Sequence, residues 1–247
     1  MIWVTGDCHG EFNKFSSGRF PEGKVATKDD YMIICGDFGF WHDTPEENYW
    51  LKWLDKKPWT TLFVDGNHEN FDRLDALPVE KWSGGMVHRI KPSIIHLMRG
   101  QVFNLQGKKF FTFGGASSHD IEDGIIDPDI TENWEEKLRQ FIREGKRFRV
   151  NHMSWWYHEL PTDEEFDEGT SNLRKHGNEV DFIITHCAPN SVAAQLGFHE
   201  DDYLTDYLEE VKDNINYSHW YFGHYHDDIN FNHEKMTLLY TKIERIL

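Results

Sequence analysis

Short apolar segments that end abruptly at polar residues recur along this chain of 247 residues, and they constrain its fold more than any other feature. Three of them, Ile2–Thr5, Tyr31–Cys35 and Thr60–Val64, lack the alternation typical of half-exposed strands, which indicates strands buried on both faces. Helix-compatible stretches separate them, most clearly Thr44–Lys57, which begins with a threonine cap followed by a proline. This alternation predicts a mostly parallel α/β sheet with right-handed crossovers.

The rest of the chain predicts a second sheet. Further strands are expected at Phe182–Thr185 and His219–Phe222, hairpins at Ile94–Leu105 with Phe110–Phe113 and at Asp228–His233 with Met236–Ile243, and helices at Thr131–Arg143 and Tyr203–Val211. Residues 161–179 are polar and acidic, which predicts a mobile segment, and the pattern leaves open whether that segment forms a lid. Because no repeat or linker divides residues 1–247, we expect a single domain with two sheets.

Each abrupt strand end carries side chains that can bind a metal ion. These are Asp7, His9, Asp37, Asn67, His68, His186, His224 and His226. The spacing from Asp7 to Asp37 is 30 residues, and the spacing from Asp37 to Asn67 is again 30, which is about the length of one strand–helix–strand unit. Because ligands of open α/β sheets bind outside the carboxyl ends of the strands, we expect these side chains to converge.

The donor types indicate a class of metal. Two carboxylates, one carboxamide and four imidazoles make a mixed nitrogen and oxygen set, which suits Mn²⁺, Fe or Zn²⁺ better than Ca²⁺ or Mg²⁺, and we favour manganese. Seven ligands are too many for one tetrahedral zinc ion and suit two ions that share a carboxylate. Such a pair generates a hydroxide near neutral pH and holds a phosphoryl group.

These segments, taken in order, resemble the motifs of the calcineurin-like metallophosphoesterase superfamily. The matching sequences are Gly6-Asp7-Cys8-His9-Gly10, Gly36-Asp37, Gly66-Asn67-His68-Glu69, Thr185-His186 and Gly223-His224-Tyr225-His226. The resemblance covers nearly the whole chain. It implies an α/β fold with two mixed β-sheets packed face to face and flanked by helices, an αββα sandwich.

The resemblance also implies a role for each matching residue. Asp7, His9 and His226 would bind one metal, Asn67, His186 and His224 would bind the other, and Asp37 would bridge them. His68 would protonate the leaving group after a metal-bridging hydroxide attacks phosphorus. The expected activity is therefore dinuclear-metal-dependent hydrolysis of a phosphoester by a phosphatase or phosphodiesterase. The alternative is a non-catalytic metal-binding scaffold for protein interactions, since a fold does not fix a function.

One departure from the superfamily bears on the substrate. Phosphoprotein phosphatases carry an aspartate and an arginine after the bridging aspartate, where this chain has Phe40 and Trp41. This argues against a protein phosphatase and favours Trp41 as an aromatic wall for a nucleobase or another aromatic group. His119, in a loop after a predicted strand, is a second candidate for binding substrate. Monoesters and diesters both stay open, with diesters or nucleotides favoured.

Composition limits the partners and the compartment. Asp and Glu number 43 against 26 Lys and Arg, a formal net charge of −17, which excludes an extended nucleic-acid surface but permits one small phosphorylated substrate or nucleotide in a cationic site. The three cysteines, Cys8, Cys35 and Cys187, predict buried thiols rather than disulfides, and hence a reducing compartment. Without a secretory signal or a spanning segment in the sequence, we expect a cytoplasmic protein that does not bind membranes.

Overall fold

Two large mixed β-sheets form the centre of the molecule in the computed structural model, which describes residues 1–199 and 202–247. The first sheet contains, in spatial order, β15 (Ile243–Arg245), β1 (Ile2–Thr5), β2 (Tyr31–Cys35), β3 (Thr60–Val64), β6 (Ile94–Leu97), β5 (Gly85–Lys91) and β4 (Val79–Trp82). The second contains β13 (Ile229–Phe231), β14 (Met236–Leu238), β12 (Asn216–Phe222), β11 (Glu179–Thr185), β8 (Lys108–Phe113) and β7 (Gln101–Leu105). A small parallel pair joins β9 (Ile125–Ile126) to β10 (Arg149–Val150).

The centre of each large sheet is parallel, and this brings strand ends together. In the first sheet Thr5 pairs with Ile34, and Cys35 pairs with Val64, so β1, β2 and β3 end side by side. In the second sheet the parallel partners β11 and β12 likewise end next to each other. The polar residues that follow these five strands therefore start from a common edge, as the sequence predicts.

The two sheets pack face to face, with helices on both outer faces. Val4 and Ile33 from the first sheet share a buried apolar cluster with Phe110 and Ile184 from the second. The helices are α1 (Pro45–Asp55), α2 (Phe71–Asp75), α3 (Trp134–Glu144), α4 (Asp163–Lys175), α5 (Asn190–Gln195) and α6 (Tyr203–Asn214). The first two pack on the outer face of the first sheet, and the last three pack on that of the second. This arrangement confirms the expected αββα fold.

The predicted helix at Thr44–Lys57 is α1. Thr44 Oγ1 accepts a hydrogen bond from Glu47 N at 3.1 Å, which caps the first turn, and Pro45 occupies the first helical position. Leu51 and Leu54 are buried against the first sheet. Local capping and one apolar face therefore account for this helix.

The predicted strand Ile94–Leu105 is wrong as a single element. It divides into β6, which joins the first sheet, and β7, which forms the predicted hairpin with β8 in the second. The chain crosses between the sheets at Arg99 and Gly100, and Gly100 adopts the left-handed conformation with φ of +72°. Both parts are buried, so hydrophobicity alone does not reveal the crossing.

The prediction of a mobile segment at residues 161–179 is also wrong, because most of it forms α4. Thr162 and Glu165 make a capping box at the first turn. Three acidic residues in that turn stabilise the helix, because they lie at the positive end of its dipole. Leu173 is buried in the apolar cluster on the outer face of the second sheet, and Phe166 packs against that cluster. The segment is therefore a structural layer rather than a lid.

The carboxyl-terminal hairpin is shorter than predicted. β13 and β14 pair antiparallel, but β14 ends at Leu238, and Ile243–Arg245 returns to the first sheet as β15. In the part of the chain that the structure describes, every helix falls short of the length and apolar character needed to cross a membrane.

Candidate metal centre

The candidate site lies where loops from both sheets meet. Asp7 follows β1, Asp37 follows β2 and Asn67 follows β3, while His186 follows β11 and His224 follows β12. The loops are joined by hydrogen bonds through the backbone. Asp37 O accepts from His9 N at 2.7 Å, and Asp7 Oδ1 accepts from His224 N at 3.0 Å. The second of these bonds links the first sheet to the second.

Four of the predicted ligands form a compact group. Asp7, His9, Asp37 and His226 each offer one ligand atom, and these atoms lie within 4.8 Å of one another. The Asp7 and Asp37 side chains are buried, whereas the His9 side chain is 34% exposed and that of His226 is 51% exposed. The group therefore opens to solvent on its histidine side.

The other three predicted ligands adjoin this group through Asp37. His186 Nε2 lies 3.3 Å from Asp37 Oδ1 and 3.3 Å from Asn67 Oδ1. The rings of His186 and His224 lie 4.9 Å apart between centroids. On the opposite side of Asp37, its Oδ2 lies 3.7 Å from His9 Nδ1. The seven side chains are therefore contiguous, with Asp37 at the centre.

Four of these residues have left-handed backbone conformations. The φ angles are 48° at His9, 44° at Asp37, 71° at His224 and 51° at His226. Only a few per cent of non-glycine residues adopt positive φ, and such residues cluster at functional sites. The backbone at these strand ends turns sharply so that the side chains point towards one another.

Glycines next to the predicted ligands leave room for them. A Cβ atom on Gly66 would lie 2.1 Å from Asp37 Oδ1, and one on Gly36 would lie 2.1 Å from His186 Nδ1. Gly36 also has a φ of +89°, which side chains rarely tolerate. The glycines of these motifs are therefore required by the close approach of the side chains.

The charges of the site favour a bound cation. Burial opposes protonation of His186, yet the carboxylates of Asp37 and Asp7 raise its pKa to about 10. Asp7 Oδ2 is buried and accepts no hydrogen bond from the described residues, although His226 Nε2 lies 3.1 Å away. A buried carboxylate oxygen without a hydrogen bond is costly. The donor set and this oxygen together fit a divalent metal.

His68 lies beside the ligand group, and its ring contacts different side chains from those that the Asn67 carboxamide contacts. Its backbone N–H donates to Asp37 Oδ1 at 2.8 Å, and its ring lies 5.4 Å from the His9 ring. Burial lowers the pKa of His68, the nearby Asp37 opposes this shift, and Arg149 adds to it. The Trp41 ring lies 5.9 Å from the His68 ring, so an aromatic surface borders this histidine.

His119, the other candidate for substrate binding, lies next to His224. Its Nε2 is 2.8 Å from His224 Nε2, and its ring is 5.2 Å from the Phe198 ring. His119 therefore contacts a predicted ligand directly and belongs to the rim of the site.

Two charged residues that hold the site loops were not predicted. Lys14 Nζ donates to the carbonyl oxygens of Gly6, Asp7 and Tyr240 at 2.8–3.0 Å. Glu69 is fully buried and accepts hydrogen bonds from Phe38 N at 2.6 Å and Phe40 N at 2.9 Å, so it ties the loop after β3 to the loop after β2. Glu69 directly follows His68, which is a signal that could have found it, whereas no local pattern marks Lys14.

Comparison with known proteins decides the family. A model described as calcineurin-like phosphoesterase matches residues 1–228. The chain belongs to this family. The match extends from β1 past the last of the predicted ligands, so it covers every loop of the site.

Several curated relatives are lariat debranching enzymes. The protein from Danio rerio is 28% identical over 140 residues, which cover 50% of this chain and 23% of the relative. The protein from Drosophila pseudoobscura pseudoobscura is 24% identical over 250 residues, which cover 91% of this chain and 42% of the relative. The chain therefore spans less than half the length of these curated relatives. Among solved structures, a phosphopantetheinyl hydrolase from Mycobacterium tuberculosis is 15% identical with a TM-score of 0.44, covering 97% of this chain and 87% of that chain.

Proposed function

We propose that this family member hydrolyses phosphoester bonds at a centre of two divalent metal ions, and that His68 protonates the leaving group. The observation that carries the proposal is the position of Asp37. One of its carboxylate oxygens faces His186 at 3.3 Å, and the other faces His9 at 3.7 Å. A carboxylate placed in this way can serve two ions at once.

The ligands divide into two sets around this carboxylate. Asp7, His9 and His226 would hold one ion, and Asn67, His186 and His224 would hold the other. Burial and the neighbouring His186 lower the pKa of His224 well below its usual range. A bound ion would displace the proton from His186, because a histidine binds metal only in its neutral form. The mixed nitrogen and oxygen donors suit Mn²⁺, Fe and Zn²⁺, and of these we propose Mn²⁺.

When bound, the two ions would lower the pKa of a water molecule and neutralise the charge of the phosphate. The protein side chains supply the rest. The buried carboxylates of Asp7 and Asp37 limit the positive charge that the substrate meets. His68 is placed beside the ligand group but is itself free to donate a proton to the leaving oxygen, a contribution that typically amounts to about 10²–10⁴-fold in rate.

The surroundings of the site support a small substrate with an aromatic group. Trp41 borders His68 and packs on Trp156 with ring centroids 5.3 Å apart, which makes a wall suited to a nucleobase. The formal charge of −17 argues against a long nucleic acid. We therefore propose a diester or nucleotide substrate. Because several relatives are named for debranching lariats, a short branched oligonucleotide is included among the substrates to be tested.

Replacing His68 by asparagine tests its role. We expect turnover to fall by about 10²–10⁴-fold for an ester with an alkyl leaving group, and much less for one with p-nitrophenol, which leaves without a proton. Metal content, measured by atomic emission, should equal that of the wild-type protein. The exposed His233, replaced in the same way, is the matched control. An equal loss for both leaving groups, or loss of metal, would contradict the role of general acid.

A comparison of substrates and metals tests the function as a whole. Turnover of p-nitrophenyl phosphate and of its bis-ester is measured with the apoprotein loaded with Mn²⁺, Fe²⁺, Zn²⁺ or Mg²⁺. We expect two ions bound per chain, with faster turnover of the bis-ester. Two bound ions without hydrolysis of either ester or of the branched oligonucleotide would overturn the proposal in favour of a non-catalytic scaffold.

A further inference from the structure

A chain of three buried polar side chains extends outward from Asn67. Asn67, Ser118 and Glu159 are 5%, 7% and 2% exposed. Ser118 donates to both carboxylate oxygens of Glu159, from its backbone N at 2.9 Å and from its Oγ at 2.6 Å. Asn67 Nδ2 in turn donates to Ser118 Oγ at 3.3 Å.

The carboxylate of Glu159 sets the direction of every hydrogen bond in this chain. When Glu159 is ionised its carboxylate can only accept, so the Ser118 hydroxyl must then donate its single hydrogen to Glu159. The hydroxyl is left with lone pairs towards Asn67, and only the amide nitrogen of Asn67 can face them. The carboxamide oxygen must then point the other way, where it lies 3.3 Å from His186 Nε2.

Glu159 is itself held firmly. Arg99 is buried, and its Nη2 donates to the carbonyl oxygen of His158 at 2.8 Å. Its Nε donates to Asp65 Oδ2 at 2.9 Å, and Asp65 lies two residues before Asn67. Ala116 N donates to Glu159 O at 3.2 Å. The segments that carry Glu159, Ser118 and Asn67 are therefore fixed relative to one another.

We propose that Glu159 is a positioning residue that, through Ser118, holds the carboxamide of Asn67 with its oxygen directed into the metal site. The inference rests on the proposed role of Asn67 as a ligand. A carboxamide rotated by half a turn would present its NH₂ group, which has no lone pair for a cation. Groups that orient metal ligands typically affect metal affinity by about 10–100-fold when they are changed.

The variant Glu159→Gln keeps the shape of the side chain at position 159. It reverses the direction of the hydrogen bonds that run through Ser118 to Asn67. The backbone N–H of Ser118 retains the remaining oxygen, so the new NH₂ group faces Ser118 Oγ. The hydroxyl then turns its hydrogen towards Asn67, which must rotate to accept it. We expect one of two Mn²⁺ ions to bind about 10–100-fold more weakly, with the other unchanged. Calorimetric titration of the apoprotein measures both, and the melting temperature of the apoprotein should match that of the wild type.

The second variant, Asn67→Asp, shows whether Glu159→Gln acts by turning the Asn67 side chain or only by removing the charge of Glu159. A carboxylate presents oxygen in either direction, so adding Glu159→Gln in this background should weaken neither ion further. Burial raises the pKa of Glu159 to about 7, although the hydrogen bonds from Ser118 oppose this shift. The titrations are therefore done in a buffer more alkaline than this pKa, so that Glu159 is ionised.

Three results would overturn the inference. In the first, Glu159→Gln binds both ions as the wild type does. In the second, it weakens both ions and lowers the melting temperature of the apoprotein, as a purely structural residue would. In the third, it weakens binding as much in the Asn67→Asp background as in the wild type. Wild-type protein that binds fewer than two Mn²⁺ ions would instead contradict the proposed function, and the inference with it.

Discussion

His158 lies between two carboxylates, one from α2 and one from α4. Its Nδ1 lies 2.8 Å from Asp75 Oδ2, and its Nε2 lies 3.3 Å from Glu165 Oε2. Burial opposes protonation, but these two hydrogen bonds raise the pKa of His158 to about 9. The charged imidazole therefore joins α2 to α4 across the molecule.

The pKa of His158 predicts a pH-dependent contribution to stability. The folded pKa of about 9 exceeds the ordinary value of 6.5, so the contribution is complete below pH 6.5 and is lost as the pH rises through 9. His158→Gln should therefore melt at a lower temperature than the wild type below pH 6.5, and the two should converge above pH 9. Thermal melts of both proteins across this range measure the difference. A gap independent of pH would contradict the assignment.

The crossing between the two sheets contains Arg99, which bonds to residues of two other elements. Arg99 and Asp65 are buried and bonded to each other, and Arg99 also bonds Glu165 of α4 at 3.1 Å. Its guanidinium holds the pKa of Asp65 well below its usual range despite the opposing effect of burial. One side chain thus links the loop after β3, the crossing and α4.

Removing this cation should strongly destabilise the fold. Arg99→Met leaves Asp65 buried without its main partner, which typically costs about 3–5 kcal/mol in the free energy of unfolding. Urea denaturation measures the loss. The double variant with Asp65→Asn should lose less than the sum of the two single variants, because it removes both charges. Additive losses would show that the two residues act independently.

The sequence predicts some elements well because their causes are local. The β1, β2 and β3 strands and the cap of α1 are visible in apolar runs and in Thr44-Pro45. The crossing at Arg99 and the helix at 163–175 were missed because tertiary contacts decide them, and hydrophobicity does not show which sheet a buried strand joins. The same reason applies to the site. The strand-end motifs of the sequence predict which side chains converge at the site. No motif in the sequence indicates that Ser118 and Glu159 lie next to Asn67.

The whole molecule is organised around the seam between its sheets. Asp7, Asp37 and Asn67 come from the first sheet, while His186, His224 and His226 come from the second. Ions held by both sets would connect the two halves of the fold. Metal binding is then coupled to folding, because the unfolded chain has no such arrangement of ligands.

This coupling predicts that a chelator lowers stability. A ligand present at 100 times its dissociation constant stabilises a folded protein by about 2.7 kcal/mol per site. Treating the Mn²⁺-loaded protein with excess EDTA should therefore lower its melting temperature, and added Mn²⁺ should restore it. Asp37→Asn, which replaces the central carboxylate by a neutral carboxamide, should show a much smaller response. A melting temperature unaffected by EDTA would argue against ions that join the sheets.

The left-handed backbone at His9, Asp37, His224 and His226 has an evolutionary consequence. Such conformations typically cost about 1–3 kcal/mol each, and glycine adopts them with little strain. Glycine at these positions would relieve that strain. Side chains that can bind a metal stand there instead, so the proposed ligands at these four positions strain the metal-free fold. A lineage freed from the need for activity would therefore lose strain at each strand end and would also lose the stabilisation that bound ions supply.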